Sequence, residues 1–240
     1  MTTPLLEVCV ADAESLLAAV EGGADRIELC SALEVGGLTP TPGLMRLAAG
    51  LPIPVYGMVR PRPGDFVFGE ADIGTMLADI DAIRQAGLAG VVLGASRPNG
   101  ELDVAALERL RAGADGLGST LHRAFDLVPD ITEAVEAAVT LGFERILTSG
   151  GALTAPTGIP GLQAAFTAAG ARIGIMPGSG LTPQTVGTLL DVVPAREVHS
   201  SCSVARLTES RGAVRLGFAG ESRRVTSAAA VAAFRKAMAR

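Results

Sequence analysis

Eight short β-rich runs alternate with stretches of helical spacing along the 240-residue chain, and that alternation limits the possible folds more than any other feature. The runs are Leu5–Val10, Arg26–Cys30, Pro54–Arg60, Gly90–Ala95, Ser119–Phe125, Arg145–Gly150, Arg172–Pro177 and Glu197–Cys202. From Glu7 to His199 they recur roughly every 27 residues. Helical spacing marks Ala13–Glu21, Ile73–Gln85, Val104–Arg111, Ile131–Thr140 and Pro183–Leu190, and short turns such as Gly22-Gly23-Ala24-Asp25 precede most runs. Strand and helix alternating in short units imply a parallel sheet with right-handed crossovers. Eight units in a chain of this length imply a closed (β/α)8 TIM barrel, a single domain over residues 1–240. An open doubly wound sheet is the alternative. It is disfavoured because no GxGxxG follows the first run and the spacing stays even to the end.

Helix starts agree with this reading. Asp12 is placed to cap the first helix, Asp130 or Thr132 the one after the fifth run, and Thr182-Pro183 reads as a cap with proline in the first turn. Thr226–Arg240 is Ala-rich and reads as the last helix. The polar, Gly-rich segment before it, about 203–225, shows no period and is longer than a usual connection. It reads as a surface loop, with a lid or an oligomer contact as alternatives.

Composition removes several functions. The net charge is −5 and there is no basic run, which argues against nucleic acid as a partner. No apolar stretch is long enough to cross a membrane. Met1-Thr2-Thr3-Pro4 has no basic n-region, and three cysteines without a CxxC suit a reducing compartment, so a cytoplasmic protein with free thiols is expected. Lys236 is the only lysine against nineteen arginines, which leaves little for Schiff-base chemistry. There is no GxSxG or P-loop, and no nucleotide cofactor is expected.

In a barrel of this kind the site lies at the carboxyl ends of the strands. Polar residues collect there: Glu7 and Cys9, Glu28 and Cys30, Arg60 and Arg62, His122, Arg123 and Asp126, Thr148 and Ser149, Gly178-Ser179-Gly180, and His199. Side chains alternate along a strand, so Glu7 shares a face with Cys9, and Glu28 with Cys30. The PGSG turn over 177–180 and the TSGG turn over 148–151 read as anion cradles, because glycines leave backbone N–H groups uncovered. Arg60, Arg62 and Arg123 add guanidinium forks for phosphate or carboxylate. Tight turns and salt bridges to Glu7 or Glu28 are the plainer alternatives. Glu28 with His122 suits acid/base work, or belongs to an ion network. Cys9 and Cys30 on neighbouring strands suit a soft ion such as Cu(I), or are small hydrophobes. Glu7, Glu28 and the two histidines form a weaker candidate for a divalent metal. Phe66 and Phe68 follow the arginines in a Gly/Pro loop as a flap or a shield.

The segments LLEVCV, EGGADRIELCSAL with GGLTPTPG, MVRPRPGDFVF, HRAFD, ERILTSG, MPGSG and EVHSS, in this order over residues 4–202, resemble the CutC family, named for copper homeostasis. The resemblance implies a (β/α)8 barrel, a cytoplasmic location, a homodimer or higher homo-oligomer, and Cu(I) bound with Cys9 and Cys30 as the matching thiols. Gly57, where a larger apolar residue is expected, and Cys202 depart from the family pattern. Two functions follow. One is Cu(I) binding in copper homeostasis. The other is an enzyme without a redox cofactor, an isomerase, lyase or hydrolase, with Glu28, His122, Glu7 and His199 as acid/base groups. Arg60, Arg62, Arg123, Ser149 and the 178–180 turn would then hold a small phosphorylated or carboxylated ligand. A barrel that senses a metabolite without turnover is a third.

Overall fold

The structure is a computed structural model and describes residues 3–239. Met1 and Thr2, which begin the expected leaderless start, and Arg240, the expected end of the last helix, lie outside the described residues. Eight parallel strands form the sheet: β1 (Leu5–Val10), β2 (Arg26–Leu29), β3 (Val55–Met58), β4 (Gly90–Leu93), β5 (Gly118–Leu121), β6 (Arg145–Thr148), β7 (Gly174–Pro177) and β8 (Glu197–Ser200). Ladders join them in the order β7-β6-β5-β4-β3-β2-β1-β8. β7 and β8 pack together across the remaining seam, so the ring is a nearly closed TIM-type barrel. Gly178 permits this approach, since a Cβ there would sit 2.5 Å from Leu147 and 3.1 Å from His199.

Helices α1 (Ala13–Glu21), α2 (Pro42–Ala49), α3 (Glu70–Ala86), α4 (Val104–Gly113), α5 (Ile131–Thr140), α6 (Ile159–Ala169) and α7 (Val186–Leu190) follow the first seven strands. Asp12 caps α1 by accepting the Ser15 N–H at 2.8 Å, and Asp130, not Thr132, caps α5 through Glu133 at 3.0 Å. α7 becomes regular only at Val186, after a turn over Thr182–Thr185 in which Thr182 N–H donates to Thr185 Oγ1. Gly57 has a packing reason: a Cβ there would lie 2.7 Å from Ile83 Cδ1 on α3. The fifth run is shorter than its sequence suggests. β5 stops at Leu121 because the His122 ring accepts the Ala124 N–H and turns the chain into a 3-10 helix over Arg123–Leu127.

The segment expected as an aperiodic loop is an ordered hairpin. β9 (Ser203–Leu207) and β10 (Ser222–Thr226) pair antiparallel, with the short α8 (Arg211–Arg215) between them, and α9 (Ala228–Met238) follows. β10 packs on α1, where Arg206 and Arg223 pair with Glu14. β9 is exposed along nearly all its length, and only Val225 and Thr226 of β10 are buried. The inside–outside alternation that betrays a strand was therefore missing.

The main apolar core lies between sheet and helices and includes Leu6, Val8, Ile27, Leu29, Ile80 and Ile83. The barrel interior is different. Barrels of this kind usually fill it with branched apolar side chains. Here Glu7, Arg26, Glu197, Arg145, Glu144 and Tyr56 form a chain of ion pairs and hydrogen bonds through its lower part. Cys30, Tyr56, Met58 and Val92 supply a small apolar cluster of their own.

Candidate active site

Side-chain alternation points Glu7 and Cys9 of β1, Glu28 of β2 and His199 of β8 into the barrel, and register brings them level. Cys9 lies beside Glu28, and Glu7 beside His199. His199 Nδ1 meets Glu7 Oε1 at 2.8 Å, and its Nε2 lies 3.8 Å from Glu28 Oε2. The Cys30 thiol donates to Glu28 Oε2 at 3.6 Å. Cys9, Glu28 and His199 each place a ligand-type atom within 4.8 Å of the other two; Cys30 falls outside this cluster.

Environment gives these groups different charges. Burial alone would raise the Glu7 carboxyl, but Arg26 and His199 beside it hold it down to about 2. Burial raises Glu28 against the pull of His199, and the negative Glu7 adds to the rise. Burial opposes a charge on His199, yet Cys9, Glu28 and the hydrogen bond to Glu7 lift it well above the ordinary histidine range. The Cys30 thiol, buried beside Glu28, is pushed well up. His122 goes the other way: burial and the nearby Arg60 guanidinium depress it to about 3. Its Nδ1 accepts the Ala124 N–H at 3.2 Å, so the neutral ring carries its proton on Nε2.

A cavity of about 410 Å³ opens at the carboxyl ends of the strands. Cys9, Glu28, Arg60, His122, Arg123 and His199 all line it, as do Phe66 and the 179–182 turn. Three buried polar atoms on these lining residues have no hydrogen-bond partner: Glu28 Oε1, Arg60 Nε and His122 Nε2. Such an atom costs about 1–3 kcal/mol when buried unpaired. Three in one cavity wall mark a place for a polar ligand or water.

Three of the expected anion contacts turn elsewhere. Arg62 does not line the cavity. It pairs with Asp65 and Asp72 and packs over Phe68. Ser149 and the 148–151 turn already hold an anion, the Asp126 carboxylate. It accepts from Thr148 Oγ1 (2.6 Å), Ser149 N–H (3.0 Å), Gly151 N–H (3.1 Å) and Arg123 Nε (2.7 Å). Arg60 cannot offer a fork, because its Nη1 donates to the Val35 and Gly37 carbonyls and its Nη2 to that of Gly64. Of the 178–180 turn, Ser179 and Gly180 line the cavity, both with positive φ, 74° and 70°, whereas Gly178 is not among the lining residues and donates its N–H to the Thr148 carbonyl. None of the three arginines pairs with Glu7 or Glu28; Glu7 takes Arg26 instead.

Two contributors were not singled out from sequence. Arg26 starts β2 and enters the sequence reading only as the first residue of that run. Arg224 lies on β10, in the segment read as a loop, and lines the cavity with its guanidinium donating to Ser203. A neighbouring cleft under the hairpin shares Cys9, Leu33, Ser201 and Arg224 with the cavity.

The arrangement defines a class: a TIM-type barrel with a small-molecule-sized polar cavity at the carboxyl ends of its strands. The CutC family model matches residues 4–204. A CutC family protein of Sinorhizobium medicae is 59% identical over 98% of this chain and 96% of its own length. One of Rhizobium meliloti is 58% identical over 96% of this chain and 94% of its own. The solved structure of the Streptococcus agalactiae CutC, named for copper homeostasis, superposes with TM-score 0.79 at 30% identity, covering 82% of this chain and 98% of that one. The chain belongs to the CutC family.

Proposed function

We propose that the protein is an enzyme that moves protons on a small anionic metabolite, with Glu28 as the proton-transfer group. The observation that carries this is the set of unpaired buried atoms, Glu28 Oε1, Arg60 Nε and His122 Nε2, around one cavity. A carboxyl raised by burial suits acid/base work. Beside it stand a charged His199 locked by Glu7 and a neutral His122. Neighbouring titratable groups pushed apart in this way mark acid/base sites. The 179–180 turn lines the cavity and is the candidate for the anionic end of the ligand, since the Arg123 and Arg224 guanidiniums already donate to Asp126, Ser149 and Ser203. The test is deuterium exchange: incubation in D2O with a panel of small phosphorylated and carboxylated hydroxy and keto compounds, read by proton NMR. Exchange that Glu28→Gln abolishes supports the reading. Absence of exchange or turnover across the panel removes it.

A second reading follows from the Cys9, Glu28, His199 cluster, which offers one sulfur, one oxygen and one nitrogen to a metal. The chain belongs to a family named for copper homeostasis, and the S. agalactiae CutC bears that name. The cluster fits a copper ion as cargo better than a Cys9–Cys30 pair does, since the Cys30 thiol is turned to Glu28 among apolar neighbours. Anaerobic Cu(I) titration against a competing chelator decides. Loss of binding in Cys9→Ser with retention in Cys30→Ser supports this cluster; equal binding in both removes it.

Three buried free thiols suit a cytoplasmic setting. No helix among the described residues is long and apolar enough to cross a membrane. The exposed Leu207, Leu216 and Phe218 of the hairpin segment support a homo-oligomer, which light scattering of the purified protein tests.

A further inference from the structure

Cys9, Glu28 and His199 each offer one ligand-type atom, and the three atoms lie within 4.8 Å of one another. Glu7 takes His199 Nδ1 at 2.8 Å, so Nε2 is the ring nitrogen turned to the cluster, 3.8 Å from Glu28 Oε2. A four-coordinate zinc ion holds nitrogen and oxygen at about 2.0–2.2 Å and sulfur at about 2.3 Å, which places its ligand atoms about 3.3–3.7 Å apart. The nitrogen–oxygen pair is already close to that spacing. A second, independent observation concerns Glu28. It is 3% exposed, lines the cavity, and its Oε1 has no hydrogen-bond partner. A buried carboxylate oxygen without a donor is one that a cation satisfies.

The surroundings are those of metal-ligating side chains. A ligating histidine donates its other ring N–H to a carboxylate, which fixes the ring. Glu7 does this for His199 and is itself held by Arg26. The Cys30 thiol, outside the cluster, donates to Glu28 Oε2 at 3.6 Å and steadies the carboxylate.

The donor set selects the ion. Cu(I) favours soft thiolate and thioether ligands, whereas carboxylate oxygen suits harder ions. With Cys30 turned away, the cluster has one sulfur, beside one nitrogen and one oxygen. That mixture suits a borderline divalent ion, zinc above all, and the thiolate and carboxylate offset its two charges. Three protein ligands leave a fourth tetrahedral position, the pattern of catalytic rather than structural zinc. All three ligands line the cavity of about 410 Å³, so a molecule in that cavity fills the position.

We propose that Cys9, Glu28 and His199 bind a divalent, zinc-class ion whose fourth position takes an oxygen from the cavity, from water or from a small carboxylate-type ligand. This assignment rests on the metal reading of the cluster and replaces monovalent copper with a divalent ion.

The test uses the untagged full chain, metal-free and anaerobic, with Co(II) as the spectroscopic stand-in for zinc. One Co(II) per chain should bind with the intense visible bands of four-coordination and a thiolate-to-cobalt charge-transfer band. Both should be lost in Cys9→Ser and kept in Cys30→Ser, and Zn(II) should displace the cobalt. Acetohydroxamate, a small oxygen chelator, should change the visible bands by entering the fourth position. Zinc K-edge X-ray absorption of the wild-type protein should find one sulfur at about 2.3 Å among nitrogen and oxygen neighbours at about 2.0–2.2 Å. That measurement decides the matter even if a variant does not fold. Two sulfurs in the shell, weak six-coordinate bands, an unchanged spectrum in Cys9→Ser, or no response to acetohydroxamate overturns the assignment. Cu(I) bound through Cys9 without Co(II) or Zn(II) binding keeps the copper reading and removes this one. No metal bound through Cys9 removes both. Deuterium exchange by the metal-free protein bears on the proton-transfer reading alone.

Discussion

Glu7→Gln probes the ionic interior of the barrel with almost no change of shape. Glu7 is fully buried, pairs with Arg26 and accepts from His199. Its carboxyl falls from 4.5 to about 2 on folding, because Arg26 and His199 outweigh the cost of burial. At about 1.4 kcal/mol per unit, the ionised form stabilises the fold by about 3 kcal/mol. Above pH 4.5 the carboxyl is charged in both states and the contribution is complete. As the pH falls through 4.5 toward 2, the unfolded chain takes up a proton that the folded chain refuses, and the contribution is lost. Gln keeps the size and one acceptor but has no charge. Urea unfolding at pH 7 should therefore show the variant less stable by about 3 kcal/mol, or a midpoint lower by about 6–12 °C on heating. Near pH 2.5 the difference should have shrunk to about 1 kcal/mol, and it should vanish below pH 2. Other carboxyls titrate in both, so the difference between the curves isolates Glu7. A constant difference from pH 7 to pH 2.5 would refute the assignment of Glu7 as a buried anion held by Arg26.

Gly57→Val should destabilise by about 1–3 kcal/mol, measured by denaturant unfolding, because the new side chain meets Ile83 of α3. Asp126→Ala should free the Ser149 and Gly151 amides, seen as faster hydrogen exchange at those two positions, and should cost about 1–3 kcal/mol of stability. Iodoacetamide at pH 8 should label Cys9, which lines the cavity, before Cys30 and Cys202. Cys30 is sealed with its thiol pushed up, and burial raises Cys202 to about 11; peptide mass mapping reads the order. If Cu(I) binds at Cys9, Glu28 and His199, affinity should rise with pH. The metal competes with a proton on His199, which the cluster holds well above the ordinary histidine range.

The barrel was legible in the sequence because each strand buries both faces and each helix one, so the period survives in the apolar pattern. Alternation paired Glu7 with Cys9 and Glu28 with Cys30 on shared faces; that Cys9, Glu28 and His199 line the cavity is what the structure adds. What alternation cannot show is a partner far along the chain. Asp126 fills the 148–151 cradle from 22 residues away, and Arg60 spends its fork on carbonyls 25 residues back. Nothing in TSGG or in an isolated arginine reports that its ligand is already supplied by the protein. The Arg26–Glu197 pair spans 171 residues and joins two strand starts, where charged residues ordinarily face solvent. The hairpin was illegible for a different reason: it is held by backbone pairing and surface ion pairs, so its side chains carry little burial pattern.

The protonation states of the chain's two histidines bear most directly on the catalytic reading. Nitrogen-15 NMR of the histidine-labelled protein resolves both rings across pH. We predict that His122 stays neutral with its proton on Nε2 from pH 8 down to pH 4.5, consistent with a value of about 3, while His199 is protonated on both nitrogens at neutral pH. Two rings titrating together near 6.5, or His122 protonated on Nδ1, would contradict it.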